Sequence, residues 1–207
     1  MSKILLINGS PNEHGCTWTA LNELKKTLER NAVETELLYL GKAPVSGCTA
    51  CRACFRTGLC VIDDQVNAVV RRLDEFDGIV VGSPVYYGGP NGQLCAFLDR
   101  LFFVGGSKMA GKLASAVVSC RRGGATSAFE RLNMYFAMSN MLIVGSQYWN
   151  QIHGSRAEDA QQDEEGLQTM RTLGENMAWL LRCIEAGRAA NVKKPAYEQR
   201  TATNFIR

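Results

Sequence analysis

Short runs of consecutive apolar residues alternate along the chain with longer stretches of helical period. Ile4-Leu5-Leu6-Ile7 runs straight into Asn8-Gly9-Ser10-Pro11, and an apolar run closed by turn residues predicts a strand buried on both faces. Leu21, Leu24 and Leu28 recur at helical spacing over residues 17 to about 30. Residues 36–40 predict a second strand, whereas residues 41–60 show no period. Asp63 or Asp64 then caps a helix striped by Val66, Val69, Val70 and Leu73. A third strand is expected at 78–82, followed by a helix at 91–103 with Leu94, Phe97, Leu98 and Leu101 on one side. Residues 113–119 predict a fourth strand, about 126–137 a helix, and 141–144 a fifth strand. The last helix, about 165–185, carries Leu167, Met170, Leu173, Met177, Leu180 and Ile184.

Five short apolar strands alternating with helices describe an α/β three-layer sandwich, a parallel sheet covered on both faces. Such a sheet most often takes the strand order 2-1-3-4-5, with ligands beyond the carboxyl ends of the strands, near the switch between strands 1 and 3. The functional loops are therefore expected after strands 1, 3 and 4. The length of 207 residues suits one domain, with a cysteine-rich loop at 41–62 and a polar tail from about residue 189.

Charge and targeting signals narrow the picture by exclusion. A net charge of +3 is too weak for a nucleic-acid binder. No stretch approaches the 18 or so apolar residues of a membrane span. The start Met1-Ser2-Lys3 leads directly into the first strand without the apolar region of a signal peptide, so a cytoplasmic location is expected.

Each expected loop carries candidate chemistry. After strand 1, Gly9-Ser10-Pro11-Asn12-Glu13-His14-Gly15-Cys16-Thr17 leads into a helix. Backbone N–H groups at a helix start, with the hydroxyls of Ser10 and Thr17, form an anion site. It has no lysine, and so suits a phosphate that is held rather than transferred. A plain turn with a Thr cap is the competing reading. After strand 3, Ser83-Pro84-Val85-Tyr86-Tyr87-Gly88-Gly89-Pro90 sets two adjacent tyrosines among glycines and prolines. A flat ring stacked on this segment accounts for them, as would packing at a subunit contact. After strand 4, Ser119-Cys120-Arg121-Arg122-Gly123-Gly124 offers close backbone approach and a guanidinium that stabilises negative charge on a reduced ligand. His14 and His153 read as idle or packing residues, and Cys95, Cys120 and Cys183 as buried ones.

The chain has eight cysteines, four of them spaced as Cys48-x2-Cys51-x2-Cys54-x5-Cys60. In a reducing compartment such a cluster points to metal or redox chemistry rather than disulfides. Closely spaced thiolates suit a 4Fe–4S cluster, and four thiolates also satisfy tetrahedral zinc. Structural or redox-active thiols remain a third reading.

Gly9-Ser10-Pro11, Gly15-x-Thr17, Ser83-Pro84-Val85-Tyr86-Tyr87-Gly88 and Gly92-Gln93-Leu94-x-x-Phe97-Leu98-Asp99-Arg100 together resemble the NAD(P)H-dependent FMN reductase family, of flavodoxin-like fold. The resemblance runs on to Thr203-Asn204-Phe205-Ile206. It implies that Ser10, Pro11, Asn12, Gly15, Cys16 and Thr17 hold the FMN phosphate, although Cys16 stands where Asn or Ser is expected. It implies that Pro84, Val85, Tyr86, Tyr87 and Gly88 contact the isoalloxazine, and that Ser119, Arg121, Gly123 and Gly124 approach its far edge. The cysteine spacing is similar to that of the iron–sulfur flavoproteins, and the redox chemistry that the resemblance places around it favours iron over zinc.

By that likeness the protein is an oxidoreductase passing electrons from NAD(P)H through FMN to a flavin, quinone, azo or nitro compound, or protein acceptor. It would be a homodimer or homotetramer, with the chemistry carried by the flavin and no catalytic side chain. The alternatives are an electron carrier with FMN and a 4Fe–4S cluster, fed by ferredoxin, and a non-catalytic binding module.

Overall fold

A computed structural model describes residues 2–199, 201–203 and 205. Asn204 and Ile206 of the C-terminal run named above lie outside the described residues. Strands β1 (Lys3–Asn8), β2 (Glu34–Tyr39), β3 (Gly78–Tyr86) and β5 (Leu113–Cys120) are parallel and ordered β2-β1-β3-β5. The fifth position of the sheet is shared by β6 (Leu142–Ile143) and β7 (Gln151–His153), both parallel to β5. The arrangement is the expected flavodoxin-like order 2-1-3-4-5. A short β4 (Gly89–Pro90) folds back antiparallel on β3.

Successive strand residues face opposite sides, which sorts the apolar runs into two cores. Leu5, Ile7, Ile79, Val81, Ala114 and Val118 meet α3 (Gln65–Arg72), α4 (Gly92–Gly105) and α5 (Ala125–Met138). Ile4, Leu6, Val80, Leu113 and Val117 meet α1 (Cys16–Arg30) and α7 (Glu164–Ala189) on the other face. Asp64 caps α3, accepting from the Val66 N–H, and Asn91 caps α4, accepting from Gln93. The cysteine-bearing segment is irregular apart from α2 (Cys54–Thr57), and α6 (Ala157–Ala160) precedes α7.

β6 lies within the expected 141–144, and β7 is a second piece of that edge that the sequence did not predict. The ladder breaks after β6 because the buried Asn150 takes its place against β5, donating to Ser115 Oγ at 2.9 Å and to the Ala116 carbonyl at 3.1 Å. Ser115 Oγ in turn donates to the Val144 carbonyl at 2.9 Å. Residues 145–149 bulge outward around this polar plug, leaving Tyr148 and Trp149 half exposed. Helix α1 starts at Cys16 with Gly15 in the capping position, so Thr17 is not its cap.

Gly82 on β3 sets the separation between the sheet and α1. A Cβ there would meet Leu21 Cδ1 at 2.7 Å and Thr17 Cγ2 at 2.8 Å. Gly82→Ala is expected to destabilise the protein by about 1–3 kcal/mol through overpacking. Urea unfolding with an unchanged slope would read this out; a midpoint equal to that of the parent would show that α1 can yield.

Candidate functional site

The loop leaving β1 is locked before any ligand arrives. The buried Asn8 accepts from the Ser10 N–H at 3.1 Å and donates to the Glu13 carbonyl at 2.9 Å. Ser10 Oγ accepts from the Asn12 N–H, and the Tyr39 hydroxyl donates to the Pro11 carbonyl. This geometry delivers the chain into α1, whose first turn has no acidic residue and no side-chain cap. The first N–H groups of a helix have no partner within it, and with the helix dipole they favour an anion. Thr17 Oγ1 shares a 2.8 Å hydrogen bond with Ser119 Oγ, joining the end of the first candidate loop to the start of the third.

These loops surround a cleft of about 790 Å³ at the carboxyl ends of the strands, a size typical of ligand pockets. Ser10, Asn12, Gly15, Cys16 and Thr17 form one side; Pro84, Val85 and Tyr86 form a second; Ser119, Cys120 and Arg121 form a third. Cys120 is buried, with its Sγ 3.5 Å from His153 Nδ1, and burial raises its thiol pKa. Burial likewise raises that of Cys16, whose Sγ donates to the Arg156 carbonyl at 3.1 Å. Neither thiol is set up as a nucleophile, because the thiolate is the reactive form.

The four closely spaced cysteines line one small cavity, about 20 Å³ in volume, floored by Arg100 of α4. Its outer wall is the exposed chain of residues 47–52, in which Ala50 and Arg52 adopt left-handed backbone with φ of 54° and 60°. The Ala53 N–H and the Thr49 hydroxyl point at Cys51 and lower its pKa, while burial raises that of Cys54. The rings of Phe55 and Phe103 stack alongside, with centroids 5.2 Å apart. Asn67 holds Cys60 from both sides, accepting from its N–H at 2.8 Å and donating to its carbonyl at 2.9 Å. All four thiols are free. Among the described residues no three His, Cys, Asp or Glu side chains are close enough to ligate a single ion. Four thiolates are the donor set that a 4Fe–4S cluster takes and that also satisfies tetrahedral zinc.

Residues 2–154 match the family model described as NADPH-dependent FMN reductase. The chain belongs to that family. It is 31% identical over 193 residues to an iron–sulfur flavoprotein of Methanocaldococcus jannaschii, covering 88% of this chain and 99% of that one. An iron–sulfur flavoprotein of Methanosarcina thermophila is 27% identical over 190 residues, covering 90% and 98% of the two chains. Among solved structures, RosB with a bound 8-demethyl-8-formylriboflavin-5'-phosphate intermediate superposes with a TM-score of 0.71 at 13% identity, covering 100% of this chain and 94% of its own. A flavodoxin from the domain Archaea gives 0.59 at 15% identity, covering 88% and 99%. At these identities the two structures speak to the fold alone.

Within this FMN reductase family member, several residues singled out in the sequence stand outside the cleft lining. Pro11 turns its carbonyl to Tyr39. Tyr87 and Gly88, with φ of 50° and 76°, are the two central residues of the tight β3–β4 turn, and Tyr87 is fully exposed. Gly124 packs under that turn, where a Cβ would meet the Gly88 Cα at 3.0 Å, and neither it nor Gly123 lines the cleft. Sequence reasoning missed Lys42 and residues 154–158, which also line the cleft, the latter beside the start of α1. The Gly154-Ser155 pair after the apolar Ile152 was the available signal, obscured by the split of the fifth strand. Cys183 is exposed and Cys95 half-buried, contrary to the expectation that both are buried, because their helices present those faces to water.

The Thr17–Ser119 bond yields a test of how rigidly the cleft is assembled. Thr17→Val strands the buried Ser119 hydroxyl and is expected to cost about 1–3 kcal/mol, whereas adding Ser119→Ala should recover part of that loss. Thermal unfolding of the two variants and the parent measures this. A double variant no more stable than the single one would show that the bond is not what joins the loops.

Proposed function

We propose that this protein is an FMN-dependent oxidoreductase that also carries a 4Fe–4S cluster on Cys48, Cys51, Cys54 and Cys60. The convergence of those four cysteines on one cavity supports the reading most directly, together with the relatives named as iron–sulfur flavoproteins. FMN supplies one- and two-electron chemistry when bound, and a cluster supplies single electrons.

The chain's own residues bind and orient. The first-turn N–H groups of α1, with Ser10 and Asn12, take the phosphate. Pro84, Val85 and Tyr86 wall one side of the ring, and Arg121 places positive charge at the cleft, where negative charge develops on reduction. No side chain has to act as acid or base. Both sites lie on the chain leaving the carboxyl ends of the strands: Lys42 lines the cleft and Cys48 follows six residues later. Helix α4 connects them, running about 14 Å from its cap Asn91 to Arg100 at 1.5 Å per residue.

NAD(P)H as electron donor rests on the family; around the cleft, Lys42, Arg121 and Arg156 stand against Glu13 and Glu158, a small positive excess. The acceptor is a small flat molecule or a redox protein, and the working form is a homodimer or homotetramer.

Anaerobic purification with flavin, iron and acid-labile sulfide measured together is expected to give about one FMN and about four iron atoms per chain. Cys51→Ser, at an exposed position, should lose the iron and keep the FMN. Iron-free protein after anaerobic reconstitution would remove the cluster from the reading, and absence of FMN binding would remove the whole of it. Bleaching of the flavin by NADPH under nitrogen tests the donor.

A further inference from the structure

Among the described residues Arg100 is the largest fully buried side chain, with 1% of its surface exposed. A buried guanidinium needs a countercharge and a partner for every N–H. Arg100 has both. Nη1 and Nη2 fork onto the two oxygens of Asp64 at 2.6 and 3.0 Å. Nη1 also reaches the Ser46 carbonyl at 3.4 Å, and Nη2 the Ile62 carbonyl at 2.7 Å. The remaining donor, Nε–H, points at Cys60 Sγ at 3.3 Å. All five N–H groups of the fork are thereby engaged.

The distribution of these partners is informative. Ser46 lies two residues before Cys48 and Ile62 two residues after Cys60, so one side chain ties together both ends of the cysteine segment. A guanidinium serving only as a clamp would have both its ends and its countercharge without contacting sulfur. Spending the Nε–H on a thiol has a chemical consequence, since a charge-assisted N–H directed at a sulfur stabilises negative charge there. Hydrogen bonds to the ligand sulfurs are among the factors that set the potential of an iron–sulfur cluster. Asn67 already fixes the Cys60 backbone on both sides, leaving the orientation of Sγ as what Arg100 adds.

We infer, on the strength of the cluster assignment proposed above, that Arg100 is a positioning residue that aims the Cys60 sulfur and raises the reduction potential of the cluster it ligates. Asp64 sets how much positive charge the sulfur experiences. Arg100→Lys keeps the charge but cannot reproduce the fork, and the N–H to sulfur is lost. Asp64→Asn retains an oxygen able to cap α3 while leaving the guanidinium without its countercharge. The two substitutions therefore push the cluster in opposite directions.

The test is a potentiometric titration of the full-length, anaerobically reconstituted protein, following the reduced cluster by electron paramagnetic resonance and the flavin by absorbance. Arg100→Lys is expected to raise the oxidised-to-reduced ratio of the cluster about tenfold at a fixed potential, a downward shift of about 59 mV for one electron. Asp64→Asn should shift it upward, with the flavin potential unmoved in both. An unchanged cluster potential in Arg100→Lys, or shifts of the same sign in the two variants, overturns the role assigned to Arg100. If Arg100→Lys cannot be loaded with iron, Asp64→Asn decides alone, and a potential that does not rise overturns it. Parent protein that takes up no iron brings down the cluster assignment itself, an outcome distinct from parent protein that is loaded while its variants do not shift.

Discussion

Gly9 is where the architecture is tied. Its N–H donates to the Gly82 carbonyl at 2.9 Å, joining the end of β1 to the middle of β3, and its own carbonyl accepts from the Asn91 side chain at 2.7 Å, joining both to the start of α4. There is no space for a side chain, because a Cβ would stand 2.6 Å from Leu94 Cδ2. The inner strands are buried on both faces, so backbone polar groups at their ends find partners only in neighbouring loops. That constraint makes the loops after β1 and β3 fit one another before they fit a ligand. The same junction fixes the direction of α4, and α4 carries Arg100 to the cysteine site.

The parts of the fold written plainly in the sequence are those governed by burial. β1, β3 and β5 are continuous apolar runs because both of their faces are covered, and Leu21, Leu24 and Leu28 follow a helical period because one side of α1 meets the sheet. The fifth strand is legible at β6, but its second piece, β7, is not, because a polar residue does structural work there: Asn150 is buried against β5, and in a sequence it reads as part of a loop. The two adjacent tyrosines show a similar limit. Composition marks the segment, but only the left-handed backbone at Tyr87 decides that Tyr86 faces the cleft and Tyr87 the solvent. The cysteine pattern was legible because its four residues are close in sequence. The partners of Arg100 lie 36 to 54 residues away in sequence, and no spacing rule brings them together.

The two sites are held in different ways. The cleft is built from backbone groups pinned by Asn8, Ser10, Tyr39 and Asn91, so its shape is fixed by the sheet. The cysteine segment is fixed at its base, by Arg100 and Asn67 around Cys60, and exposed along its outer wall, where Cys48 and Cys51 lie. The thiols differ accordingly. Cys51 receives N–H and O–H donors that favour its ionised form, whereas burial around Cys54 disfavours it.

Ala50 and Arg52 take this difference one step further. A left-handed conformation at a residue other than glycine costs about 1 kcal/mol or more and persists only where the surroundings impose it. Along the exposed outer wall few packed neighbours impose it, yet the two residues flank Cys51 and bring the Ala53 N–H toward its sulfur. Such a backbone is suited to a ring of N–H groups around bound negative charge. Metal–thiolate binding is coupled to folding wherever the site is incompletely formed without it. The inner half of the cysteine site is thus built by the fold, through Arg100 and Asn67, whereas the outer half is exposed chain with left-handed backbone on either side of Cys51.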